Sequence, residues 1–168
     1  MISAFLTAII ISNTEINKNT LNQAGMLRGG VSVDKDLPEE IYGKWAVKST
    51  LTETNNPELF NKESINIWGF ERKGKIVTLS NPLVGITSSI TVNEVTGKKA
   101  KFTREESSDD YKQTETTEIT IEGESFYGED KLIIKHLYKD KIYKSDVVKY
   151  KLKGRKISGS ALKDLFAK

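Results

Sequence analysis

The residues best placed for chemistry lie on one stretch of chain, residues 111–121, with the sequence YKQTETTEITI. If the isoleucines at its end face an apolar interior, four polar side chains share that face, because side chains alternate along a β-strand. These four are Tyr111, Gln113, Glu115 and Thr117. A buried glutamate has to find a partner or stay protonated, since an isolated buried charge is costly. The row therefore predicts water or a polar ligand head group inside the fold. The alternatives are that a bulge turns these side chains outward, or that this half of the strand lies at the solvent-exposed mouth of the barrel.

The single histidine, His136, shares a predicted strand face with Leu132 and Ile134. A lone histidine there is typical of a hydrogen-bonded wall residue, because a general base needs positioned partners. Tyr111 and Glu115 are the candidate partners if the protein is a small-barrel enzyme, and we keep that as an alternative hypothesis. We predict that the protein is not an enzyme and has no catalytic residue.

Composition removes several classes of site. The 168 residues include no cysteine and one histidine, which excludes disulfides and thiolate sites and leaves little for zinc sites or catalytic triads. No phosphate loop, dinucleotide fingerprint or nucleophile elbow occurs in the sequence. The acidic segment 105–110 lacks the spaced ligands of a calcium loop, and a net charge of +3 gives no global field for nucleic acid. We predict no cofactor, no metal and no nucleic-acid partner.

The elements that must position these side chains are strands. Residues 42–153 alternate between apolar and polar side chains, with a turn signal every dozen or so residues. This pattern predicts an all-β fold, a single antiparallel up-and-down β-barrel of about eight strands, with a two-sheet sandwich as the rival. We further predict a bulge or bend at Gly69, a short helical turn capped by Asn56, and a short C-terminal helix over residues 160–166.

The chain divides into three predicted segments. Residues 1–12 are mostly apolar and too short to cross a bilayer, and they match the apolar region of a truncated signal peptide. The alternative is a first strand or helix that packs on the domain. Residues 13–36 are polar and contain a double glycine, which predicts a flexible linker. Residues 37–168 form the barrel domain, and we expect an exported protein, periplasmic or secreted.

The tripeptide Gly43-Lys44-Trp45 at the head of the first strand resembles the Gly-x-Trp motif of lipocalins and the wider calycin group. In those families the tryptophan plugs the closed end of the barrel, and an arginine after the last strand packs across its ring. The resemblance implies that Trp45 and Arg155 close the barrel here, and that the long connection 52–63 covers the open end. The second lipocalin motif, Thr-Asp-Tyr, is missing, and Asp110-Tyr111 is the nearest match.

We therefore predict non-enzymatic binding of a small, largely hydrophobic ligand inside a lipocalin-like barrel. The residues predicted to line the site are Val47, Leu51, Leu59, Phe60, Ile65, Ile67, Ile90, Phe102, Tyr111, Glu115, Ile119, Ile134, His136 and Val148. The alternative is a structural or interaction module of the cell envelope with a solid barrel core. The lysine-rich last hairpin, residues 131–153, offers peripheral contact with an anionic envelope surface, although such lysines are commonly the solvated face of a sheet.

Overall fold

A computed structural model describes residues 36–157. The predicted signal peptide, all of the predicted linker except Asp36, and the predicted C-terminal helix lie outside the described residues. The described chain begins with the exposed Asp36 and the buried Leu37, and a single 3₁₀ turn, Glu39–Ile41, follows.

Eight strands follow in chain order and close into a barrel in which every strand is antiparallel to its neighbours. They are β1 (Gly43–Thr54), β2 (Glu63–Lys73), β3 (Ile76–Asn81), β4 (Ile86–Thr96), β5 (Lys99–Ser107), β6 (Tyr111–Glu122), β7 (Ser125–Tyr138) and β8 (Lys141–Lys156). β1 pairs with both β2 and β8, so no described strand is left as an edge. The predicted all-β up-and-down barrel is confirmed, and the sandwich is excluded.

The up-and-down order gives the barrel two different ends. The β1–β2, β3–β4, β5–β6 and β7–β8 connections lie at one end, which we call the loop end. The remaining turns lie at the opposite end together with the start of β1, and we call this the tryptophan end because Trp45 is there.

Aromatic side chains fill the interior at the tryptophan end. The Trp45 and Phe126 ring centres are 5.1 Å apart, and Trp68 stacks on Phe126 at 6.1 Å. Phe70 meets Trp68 edge-on at 6.2 Å. The Trp45 indole N–H donates to the backbone oxygen of Ile41 at 2.6 Å, so the 3₁₀ turn satisfies the polar atom of a fully buried side chain. This end of the barrel is a packed core.

The residue over Trp45 is not the one that the resemblance implied. Arg155 is exposed on the outer surface, opposite Ala46. The cation above the indole is Lys156, whose Nζ lies 5.3 Å from the ring centre. The reason is that β8 continues to Lys156, so strand alternation places Gly154 inside and Arg155 outside.

Two local predictions are wrong, the bulge or bend at Gly69 and the helical turn capped by Asn56. β2 keeps an unbroken register with β1 through Gly69, and the register shifts between described strands fall near Leu51, Val92 and His136 instead. A Cβ at Gly69 would lie 2.5 Å from the Ser80 hydroxyl oxygen, so a larger residue would make that hydroxyl turn away from its hydrogen bond to the Gly69 oxygen.

The β1–β2 connection is a turn rather than a helix, with the Leu59 amide donating to the Asn56 oxygen at 3.2 Å. The Asn56 side chain does not cap it, because its amide donates to Asp146 at 3.0 Å. Phe60 nevertheless reaches the core and is only 2% exposed.

We expect Gly154→Ala to lower the free energy of unfolding by about 1–3 kcal/mol, because a Cβ at this inward position would overlap the Phe126 ring. Urea denaturation measures the change. Lys153→Ala, one residue earlier on the outer face, is the matched control and should change stability by about 0.5 kcal/mol or less. Equal effects of the two substitutions would contradict tight packing at the tryptophan end.

Candidate functional site

The interior towards the loop end is polar. Nine polar or charged residues are buried at 5% exposure or less: Ser49, Asn66, Asn81, Arg104, Gln113, Glu115, Thr117, Asp130 and Asp146. Burying this many polar groups costs stability unless each finds a partner. These buried polar groups make the loop-end half of the barrel the candidate functional site.

The polar row predicted on β6 does face the interior. Gln113, Glu115 and Thr117 are buried in alternation with more exposed neighbours, in phase with the buried Ile119. Tyr111, at the start of the row, is half-buried against the core. The register of β6 with β5 and β7 is unbroken, so no bulge reverses the face.

Glu115 finds its partner on the neighbouring strand. Arg104 on β5 lies directly opposite it in the register, and Arg104 Nη2 is 2.7 Å from Glu115 Oε2. The two side chains are 4% and 3% exposed. A buried charge pair of this kind is stable only when both charges are present, because removing one leaves the other without compensation.

A second carboxyl group completes a buried cluster. Asp130 on β7 is fully buried and accepts a hydrogen bond from the Thr117 hydroxyl at 2.8 Å. Burial, followed by the negative charge of Glu115 and a hydrogen bond to it, raises the pKa of Asp130 well above its ordinary value. Asp130 therefore keeps its proton to a higher pH than an ordinary aspartic acid does, next to the ion pair of Arg104 and Glu115.

Two other buried side-chain atoms have no hydrogen-bond partner among the described residues. They are Gln113 Oε1 on β6 and Ser49 Oγ on β1, in residues that are 3% and 0% exposed. The Tyr150 hydroxyl, by contrast, donates to the backbone oxygen of Asn61 at 3.1 Å. Burial and the neighbouring Asp130 raise the pKa of Tyr150 to about 12. The interior therefore presents an amide oxygen that only a hydrogen-bond donor can satisfy and a hydroxyl that can either donate or accept.

A separate group of side chains lies at the rim of the loop end, and we call it the mouth cluster: Asn56, His136, Lys144 and Asp146. The His136 Nε2 atom is 2.7 Å from Asp146 Oδ2, and Lys144 Nζ is 3.1 Å from Asp146 Oδ1. Burial raises the pKa of Asp146, but the hydrogen bonds from Asn56, His136 and Lys144 outweigh it and leave the pKa below its ordinary value. The cluster fastens the β1–β2 connection to the last hairpin.

The three residues of the enzyme alternative are not brought together. Tyr111 and His136 are opposite each other on β6 and β7, but the Tyr111 hydroxyl donates to Glu106 at 2.9 Å while His136 contacts Asp146. Glu115 lies four residues further along β6 than Tyr111, roughly 13 Å at the usual rise of a strand. The absence of enzymatic activity stays a prediction.

Most of the predicted lining residues reach the interior. The core includes Val47, Phe60, Ile90, Phe102, Ile119, Ile134 and Val148, and the partly buried Leu51, Leu59 and Tyr111 pack against it. The prediction that Ile65 lines the interior is wrong, because its side chain is 66% exposed on the outer surface. Ile67 is buried but lies on the same outer face of β2 and is not part of the core. Unbroken alternation gives the interior to Asn66, Trp68 and Phe70 instead.

Sequence reasoning missed Arg104, Asp130, Asp146 and Tyr150. Each lies an even number of residues from a side chain that the pattern did place inside: Phe102 for Arg104, Leu132 for Asp130, and Val148 for the other two. Extending the alternation past the apolar residues would have found all four.

Within residues 36–157, no group of three or more potential metal-ligating side chains is close enough to hold an ion. The same part of the chain contains no helix long and apolar enough to cross a membrane. Comparison with known proteins gave no matching family model, no matching curated protein and no matching solved structure.

The raised pKa of Asp130 predicts an unusual pH dependence. The folded protein keeps a proton on Asp130 that the unfolded chain releases near the ordinary pKa of 3.8, so this site alone lowers the unfolding free energy by about 1.4 kcal/mol per pH unit above that value, until Asp130 ionises in the folded protein. Asp130→Asn cannot ionise, so we expect the stability of this variant relative to wild type to grow with pH. Urea denaturation from pH 5 upward measures this difference. Asp109→Asn, in the exposed β5–β6 connection, controls for loss of one carboxyl group, and parallel curves for wild type and Asp130→Asn would contradict a raised pKa of Asp130.

Glu115→Gln should behave differently from Asp130→Asn, because it leaves the buried Arg104 charge without a counterion. We expect a loss of about 3–5 kcal/mol at neutral pH in the same denaturation experiment. A loss no larger than that of Asp130→Asn would show that the Arg104–Glu115 pair does not hold the cluster together.

Proposed function

We propose that the protein is a non-enzymatic binding protein that holds a small molecule in the loop-end half of its barrel. The observation that carries this proposal is a pair of buried polar atoms without a hydrogen-bond partner, Gln113 Oε1 and Ser49 Oγ. An unsatisfied buried polar atom costs about 1–3 kcal/mol. A barrel with only a structural role would gain stability from apolar side chains at both positions, so their presence favours a ligand.

These two atoms also indicate the chemistry of the ligand. Gln113 Oε1 can only accept, so the best-matched group is a hydrogen-bond donor such as a hydroxyl or amide N–H, and a hydroxyl can also pair with Ser49 Oγ. Apolar side chains of the interior, including Ile134 directly opposite Gln113 on β7, offer contact for the rest of the molecule. We therefore propose an amphipathic ligand with a donor head group, in place of a largely hydrophobic one, because the apolar tryptophan end is already filled by Trp45 and its aromatic neighbours.

The barrel architecture, which is compatible with a lipocalin-like fold, supports this proposal. Trp45 lies at one end of a closed eight-stranded barrel with a cation over its ring, and the β1–β2 connection packs Phe60 into the core from the other end. Small eight-stranded barrels enclose room for side chains and one small ligand. Export to the periplasm or the medium remains a prediction from the apolar segment 1–12 alone.

Native mass spectrometry of the full chain, purified without detergent, tests the proposal. We expect extra mass that is lost on denaturation. Gln113→Leu should abolish this mass, because it removes the amide oxygen that would accept a hydrogen bond from the ligand and puts an apolar side chain in its place. Thr114→Leu, the next residue and outside the row of buried side chains, should retain the mass.

A second measurement covers a ligand lost during purification. Amide resonances of β6 should shift when small alcohols and amides are added to the wild type, and the shifts should be absent in Gln113→Leu. A bare wild-type mass combined with unshifted resonances would contradict the proposal and favour the alternative of an interaction module with a solid core.

A further inference from the structure

The last hairpin ends in an exposed group of aromatic and basic side chains that the interior site does not use. We call residues 135–144 the hairpin tip. Tyr138, Ile142 and Tyr143 are 66%, 55% and 68% exposed. Tyr138 lies on one face of the hairpin and Ile142, paired with the buried Leu137, on the other, and the Tyr143 ring centre is 6.0 Å from that of His136. Large apolar side chains exposed on both faces of one turn are unfavourable in water, which indicates a contact surface.

The charges of the hairpin tip are mainly positive. It carries four exposed lysines and one acid, Asp140: the lysines are Lys135, Lys139, Lys141 and Lys144. The Lys139 ammonium lies 5.3 Å from the centre of the Tyr138 ring, and Lys144 is partly neutralised by Asp146. Lysine beside exposed tyrosine suits a surface that is anionic outside and apolar beneath, because phenol rings favour the headgroup region of a bilayer.

The backbone holds these side chains in a fixed arrangement. The turn has two residues, Lys139 and Asp140, both in the left-handed region at φ 50° and 60°, which is the geometry of a tight hairpin. Tyr138 and Lys141 are paired directly across it. The tip therefore does not have to order a long loop when it makes contact.

We propose that the hairpin tip docks on the surface of an anionic lipid bilayer, with Tyr138, Ile142 and Tyr143 at the headgroup level and the lysines on the lipid phosphates. This contact is peripheral and independent of ligand binding in the barrel.

The neighbouring β5–β6 connection limits how the protein can approach the bilayer. It carries four acids, Glu105, Glu106, Asp109 and Asp110, and the Leu137 amide donates to the Asp110 backbone oxygen at 2.7 Å. The acidic connection is thus fixed beside Leu137, within the hairpin tip and two residues before its turn, where it is repelled by an anionic surface. Contact is restricted to the tip, and removing these acids should strengthen it.

Vesicle co-sedimentation of the full chain tests the proposal. The vesicles are phosphatidylcholine alone, or with phosphatidylglycerol as about a third of the lipid. We expect binding to the anionic vesicles, little to the neutral ones, and weakening by salt. Lys139→Ser/Lys141→Ser should lower the partition coefficient about tenfold or more, and Tyr138→Ser/Tyr143→Ser should lower it similarly. Asp109→Ser/Asp110→Ser should raise it.

The chain supplies a matched control. Tyr127 is 44% exposed on the outer face of β7 near the tryptophan end, with Lys153 Nζ 5.6 Å from its ring centre. Tyr127→Ser/Lys153→Ser removes the same chemistry from another place and should leave the partition coefficient within about twofold. No binding to anionic vesicles, equal binding to neutral ones, or equal loss in this control would overturn the proposal. A tip that contacts a protein or a polysaccharide gives the first of these results.

Discussion

Pairing of β1 with β8 is the constraint on which the rest of the structure depends. Because the sheet closes on itself, every strand has one face towards the confined interior and one face towards water, and the barrel has no edge strand. Alternation then assigns each side chain to one environment. The aromatic plug around Trp45 and the buried Arg104–Glu115 pair both follow from this assignment.

Strand alternation predicted which side chains face the interior wherever a strand is apolar on one face only, but it did not predict contacts between strands. Alternation alone placed Gln113, Glu115 and Thr117 inside. The partner of Glu115 was not predictable in the same way, since Arg104 meets it only in the observed β5–β6 register. Ile65 was misplaced because β2 carries apolar residues on both faces, so the pattern has no clear phase there.

The two ends of the barrel interior differ in composition, one apolar and one polar. The tryptophan end is packed with rings and accounts for much of the apolar burial that stabilises the fold. The loop end buries an arginine, three carboxyl groups and several amides, and the carboxyl groups find partners in Arg104, Thr117 and His136. The apolar end therefore supplies stability to a barrel whose other end spends part of its interior on polar groups.

The 3₁₀ turn and the end of β8 also give the molecule a direction. Asp36 contacts Arg72 at 2.6 Å, and the Ile157 amide donates to the Lys44 oxygen at 2.8 Å. Both ends of the described chain thus leave the barrel at the same pole, opposite the β7–β8 turn. A tag, a fusion partner or a solid support joined directly at Asp36 or Ile157 starts at the pole opposite the barrel mouth, which makes this scaffold suited to oriented display of its four loop-end connections.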